Sequence, residues 1–225
     1  MDVKDKIEIS IAIITCIGTI VSIVIAVYAI YQTHKQIEQS NKQNLFNDRV
    51  KSYLIVKGLL DLYNENKNTI EKEKEDEVYV CCDMTLEWLV NNSYLETMGK
   101  IASNPSDLAY RRDFLMKDEE LKHEAEKIKF LFDEDINTQV YDFISAYEQL
   151  IYELYKYCIL FKRIERLKDD VINKEKLNGL EEIAKQVHEE DFRKELFSKF
   201  NNLIEKKKVL DDNNIMSKME MQIKL

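Results

Sequence analysis

Residues Ile9 to Thr33, ISIAIITCIGTIVSIVIAVYAIYQT, contain no charged side chain over 25 positions. At ~1.5 Å rise per residue they make about 37 Å of helix, more than the ~30 Å hydrocarbon layer of a bilayer. The stretch predicts a transmembrane helix over 9–33, preceded by an N-terminal tail over 1–8. A cleaved signal peptide has a shorter apolar region followed by a small-residue cleavage site. Here YAIYQTHKQIEQS runs on in helix-forming sequence, so the segment is expected to stay attached.

The residues are also sorted around this helix. Ala12, Thr15, Thr19, Ser22, Ala26 and Ala29 follow at intervals of 3, 4, 3, 4 and 3, which puts them on one face. Ile13, Ile17, Ile20, Val24, Val27 and Tyr31 occupy the roughly opposite side, so bulky side chains face one way and small or hydroxyl residues the other. A small-residue face at this period lets helices approach closely. Two readings of the stripe stand open beside that of a monomeric anchor whose stripe is accidental. In one it packs the helices of a homo-oligomer. In the other, three or more copies surround an axis lined by hydroxyl rings at Thr15, Thr19 and Ser22, with an apolar constriction at Ala26 and Ala29 that gates by dewetting. Gly18, Ser22 and Ala26 form an alternative small-xxx-small dimer face that partly overlaps the first.

The composition bounds the remainder. The chain has 225 residues with a single Pro and four Gly, too few for the many tight turns of a β protein, so the expected class is all-α. Formal net charge is −9. Residues 1–45 carry four Lys against four acidic groups, so the deficit belongs to the part after the apolar helix. Such a domain lacks the clustered Lys and Arg of a general nucleic-acid binder. Cys16, Cys81, Cys82 and Cys158 give no disulfide framework, which suits a reducing compartment. With Lys35 and Lys42 just after the helix, the expected topology is a single pass of the inner (plasma) membrane, N-terminus outside and C-terminal domain cytoplasmic.

No breaker interrupts HKQIEQSNKQN, so residues 34–45 are expected to form a helical stalk leading into a helical cytoplasmic domain over 46–210. Phe46, Val50, Tyr53, Leu54, Leu60 and Tyr63 stand near helical spacing. EKEKEDE, Glu71 to Glu77, marks a helix boundary. A helix through Trp88, a short one around Tyr94 to Ala102 and an N-cap at Ser106 follow. From Asn137-Thr138 the most hydrophobic soluble helix should run about 30 residues. Phe143, Tyr147, Leu150, Leu154, Tyr157, Phe161 and Ile164 stripe it, and Val140, Ile144, Ile151 and Cys158 widen the face. Asn178-Gly179 reads as a turn. Amphipathic segments follow around Leu180 to His188 and Phe192 to Leu210, and residues 211–225 read as a poorly ordered or partner-docked tail.

Catalytic constellations are hard to find, and the chain is not expected to be an enzyme or to need a cofactor. Isolated glycines at 58, 99 and 179 cannot build a phosphate loop. His34, His123 and His188 lie in no metal-binding spacing; Glu119, His123 and Glu126 share a helix face, but no second ligand set is visible. No Arg stands four to six residues before a His, as it does in many helical defence nucleases. Two basic clusters, Arg111 with Arg112 and Lys162, Arg163 with Arg166, oppose the acidic background. Arg offers paired donors suited to phosphate, so either cluster is a candidate contact for an anionic ligand, although surface salt bridging is the ordinary use of such residues.

One apolar N-terminal helix with the small and hydroxyl series Ala12 to Ala29, joined directly to a small helical domain, resembles the membrane effectors of bacterial antiphage operons. Size and layout are similar to the Hailong membrane effectors. That resemblance implies a channel-forming homo-oligomer in the lipid bilayer, held shut by a nucleotide or oligonucleotide ligand made by a partner nucleotidyltransferase. The expected function is therefore an oligomeric single-pass effector forming a gated ion-conducting pore. The alternative is a membrane-tethered helical scaffold or sensor that binds a protein partner.

Overall fold

The computed structural model describes residues 3–72, 108–172, 185 and 187–224. They form helices α1 (Val3–Lys72), α2 (Leu108–Ile128), α3 (Glu134–Ile172), α4 (Glu189–Asp212) and α5 (Ile215–Ile223). No strand occurs among the described residues, so the protein is all-α, with a long apolar N-terminal helix followed by a helical domain. The chain divides into two compact units, Met1–Asn47 and Asp48–Leu225, although α1 continues helical from one into the other. Trp88, Ser106, Cys81, Cys82, the segments 78–89 and 94–102 and the Asn178-Gly179 turn lie outside the described residues.

In the second unit α1 contributes Ile55, Val56, Leu59, Leu62 and Tyr63, at three- and four-residue spacing, to the core. α3 is the centre, as its striping predicts. Val140, Phe143, Ile144, Tyr147, Leu150, Ile151 and Leu154 are buried on more than one face of the helix. Removing each such side chain from water stabilises the fold by roughly 1.5–3 kcal/mol. α2 lies antiparallel to α3, with Phe114 stacked on Tyr155 at 3.9 Å between ring centroids. α4 is antiparallel to α3 on another side. Lys206 pairs with Asp142 at 2.7 Å near one end, and Tyr157 donates to Glu189 toward the other.

α3 is 39 residues long and starts at Glu134, three residues before the expected Asn137-Thr138 start. Glu134 and Asp135 occupy its first turn, where the helix dipole favours negative charge. Asn137 lies inside the helix as a staple for the preceding turn. Its backbone N–H donates to Asp133 O at 2.9 Å, its side-chain amide donates to the carbonyls of Lys129 and Phe132, and its Oδ1 accepts from Phe132 N–H at 3.0 Å. The residue is buried, so deleting the amide strands main-chain groups without water. Asn137→Ala is expected to lose about 2 kcal/mol, read from the urea midpoint of the full chain in detergent.

The C-terminal residues differ most from expectation. Where 211–225 reads as a tail, the chain reverses at Asn213-Asn214 and forms α5, which buries Ile215 and Met219. Asn214 has φ 50°, a left-handed conformation that Asn tolerates better than most residues, so DDNN is a tight turn and not the end of order. The four-residue spacing of Ile215, Met219 and Ile223 then directs one face of the short helix inward. α5 is also fastened by polar contacts. Tyr53 donates to Glu220, Lys218 pairs with Asp135 at 2.9 Å, and Gln222 exchanges hydrogen bonds with Asp133. Arg49 joins three elements: Nε donates to Leu131 O at 2.6 Å, Nη1 donates to Gln222 O at 2.9 Å, and the guanidinium lies 5.6 Å from the Phe132 ring centroid.

Candidate functional site

α1 is the one described helix long and apolar enough to cross a membrane. Its Ile, Val and Tyr side chains between Ile13 and Tyr31 are 51–70% exposed, on every face. Twelve large side chains left exposed among the described residues represent on the order of 20 kcal/mol of burial still to be made, by lipid or by another protein surface. A soluble core helix has the opposite property, since its apolar face is already covered.

The stripe positions fall on this exposed helix, with the side chain of Ala12 outside those described. Thr19 Oγ1 donates to Thr15 O, Ser22 Oγ to Gly18 O and Thr33 Oγ1 to Ala29 O, each at 2.9 Å. These donors are therefore satisfied inside their own helix, which lowers the cost of carrying them through hydrocarbon and removes any need for a neighbouring helix to accept them. A Cβ added at Gly18 meets nothing within 4 Å. Among the described residues nothing opposes a side chain at that position.

The two basic clusters lie toward the same end of the α2–α3 pair, at different levels. Antiparallel packing through Phe114 and Tyr155 sets Arg111 and Arg112 one turn before the stack on α2, and Lys162, Arg163 and Arg166 two to three turns beyond it on α3. Arg111 acts electrostatically on the Tyr155 phenol, and Lys162 on the Cys158 thiol. In both cases burial outweighs the cation and raises the acidic group above its ordinary value. Arg111, Arg112, Arg163 and Arg166 are exposed, while Lys162 is half-buried; Lys162 and Arg166 already engage other groups.

His123 is exposed beside a cleft of about 550 Å³ lined by Lys51, Met116, Glu119, Glu120 and Glu124. Glu120 is paired with Lys117 at 2.6 Å and Glu124 with Lys51 at 2.6 Å, so two of its three carboxylates are already neutralised. Among the described residues no three His, Cys, Asp or Glu side chains converge as metal ligands.

Buried charge occurs instead at helix seams. Asp118 and Glu148 face each other between α2 and α3 around Lys122; Glu189 of α4 pairs with Arg193 at 3.3 Å and accepts from Tyr157 of α3. Sequence inspection misses both groups because the partners lie about 30 residues apart. A partial signal exists: Glu148 interrupts the apolar series Ile144, Ile151 and Tyr155 on one arc of α3.

The chain matches no protein-family model, no curated protein and no solved structure.

Proposed function

We propose that the protein is an oligomeric single-pass membrane effector in which α1 spans the plasma membrane, N-terminus outside, and copies of α1 surround a gated ion-conducting pore. The observation that carries the reading is the apolar length of α1, exposed on all faces and sorted by residue size around its circumference. The bulky Ile17, Ile20 and Val24 side faces lipid, and the Thr15, Thr19, Ser22, Ala26 and Ala29 side faces the other copies. The helical domain lies in the cytoplasm and controls the pore by binding a ligand or partner. Arg111, Arg112, Lys162, Arg163 and Arg166 are the proposed contacts for an anionic ligand such as a nucleotide or oligonucleotide made by a partner enzyme. Bacterial antiphage defence is the setting that this layout resembles.

Two measurements test it. The mass of the detergent-solubilised complex should correspond to three or more chains, and a monomer excludes a central pore. Reconstituted in liposomes, the full chain should conduct ions, while Thr19→Leu and Ser22→Leu should reduce flux by about tenfold or more through narrowing and dewetting. Flux unchanged by both leucines counts against the pore. The second reading, a membrane-tethered scaffold, draws on the internally satisfied hydroxyls of Thr19, Ser22 and Thr33, which require no helix partner. Exchange of residues 9–33 for an unrelated transmembrane helix preserves function under that reading and abolishes it under the first.

A further inference from the structure

We infer that Asp118 and Glu148 hold one proton between them across the α2–α3 seam, with Lys122 as their shared counter-charge, so that the packing of α2 on α3 depends on pH. Asp118 is 2% exposed and Glu148 6%. Lys122 Nζ lies 2.9 Å from Asp118 Oδ2 and 3.2 Å from Glu148 Oε1. One ammonium thus serves two buried carboxyl groups, and ionising both leaves a negative charge in the seam without compensation. Asp118 Oδ1 is buried and accepts no hydrogen bond among the described residues, so it is an acceptor of the kind that a protonated neighbouring carboxyl satisfies. With one proton present, the trio is electrically neutral and its O–H and N–H donors both have acceptors.

The surroundings leave this arrangement alone. From α2, Asp118 and Lys122 face Glu148, and among the described residues no other charged group acts on its carboxyl. On α3, Tyr152 lies one turn away with its ring 5.9 Å from Lys122 Nζ. The lysine of α1 at this level, Lys51, is bound to Glu124, and Lys206 of α4 is bound to Asp142. Burial first, and then the Asp118 charge, push Glu148 up to about 7, while Lys122 opposes them. Lys122 is correspondingly raised by its hydrogen bond to Asp118.

The sign follows from proton linkage. A carboxyl whose folded value lies above its unfolded one binds its proton more tightly in the native state. The stabilisation is therefore complete below the ordinary glutamate range near pH 4.5 and is lost as pH rises to about 7. Lowered carboxylates elsewhere, such as Asp135 and Glu190, act on the acid side of that window.

The test is the thermal midpoint of the full-length protein in detergent, followed from about pH 5 to pH 8. Wild type should lose roughly 5 °C across this range relative to Glu148→Gln, whose neutral amide mimics the protonated carboxyl and should give a flat difference profile. The three histidines are common to both proteins, so their titration cancels in the comparison. Asp118→Asn removes the like charge and should move the wild-type decline to lower pH. Parallel profiles for wild type and Glu148→Gln would overturn the proposal. Should Glu148→Gln not fold, infrared spectra of the wild type decide: a protonated-carboxyl absorption persisting above about pH 6 supports the shared proton, and its absence there overturns it.

Discussion

Replacing Phe143 with alanine is expected to destabilise the helical unit by about 3–5 kcal/mol. Phe143 is fully buried on α3, the helix against which α2, α4 and α5 all pack, and its ring stands edge-on to Tyr147 at 5.9 Å. Truncation removes a buried aromatic ring and leaves a cavity that three surrounding helices cannot all collapse into. For a unit of this size the loss corresponds to a fall of roughly 10 °C in Tm. Leu115→Ala is the matched control, because Leu115 is 44% exposed and its truncation should cost no more than about 1 kcal/mol. Thermal and urea unfolding of the full chain in detergent measure both. Equal small losses would mean that α3 is not the centre of the packing.

The second large effect concerns α1 and the reading that it spans a membrane. Each aspartate at the centre of a membrane helix costs roughly 2.5–3.5 kcal/mol of insertion, so Ile17→Asp, Ile20→Asp and Val24→Asp together should cost about 8–10 kcal/mol. Wild type should remain in the membrane pellet after alkaline carbonate extraction, and the triple variant should leave it. The core of the helical unit is built from Ile55 onward, so that unit should keep its unfolding transition. A triple variant that stays embedded would show that α1 is not the element held by the bilayer.

Much of the architecture could be read from periodicity. The 3–4 spacing from Phe143 to Ile164 marks α3 as central because only a helix covered on several sides needs an apolar arc widened by Val140, Ile144 and Ile151. The uncharged run Ile9 to Thr33 is equally legible, since hydrocarbon excludes charge residue by residue. What escaped is pairwise and distant. Asn137 looks like the start of α3, yet its amide folds back on the turn from 129 to 133. DDNN looks like the end of order, yet one left-handed Asn turns the chain into α5. Asp118 and Glu148 stand 30 positions apart in the chain, and their pairing appears only when α2 and α3 are laid side by side. The stripe on α1 is visible in sequence, whereas the internal bonding of its hydroxyls requires the helix in three dimensions.

The clasp at Arg49 has a consequence for how this protein tolerates genetic drift. Both acceptors, Leu131 O and Gln222 O, belong to the main chain, which every residue type supplies. Position 222 can change its side chain, giving up the bonds to Asp133, and still present its carbonyl. Position 49 has no such latitude. A lysine there offers a compact point charge in place of a planar fork, and cannot reach two carbonyls while lying over the Phe132 ring. The contact joins one side chain to two main-chain carbonyls, so its dependence on the genetic code is one-sided, with its specificity carried by position 49.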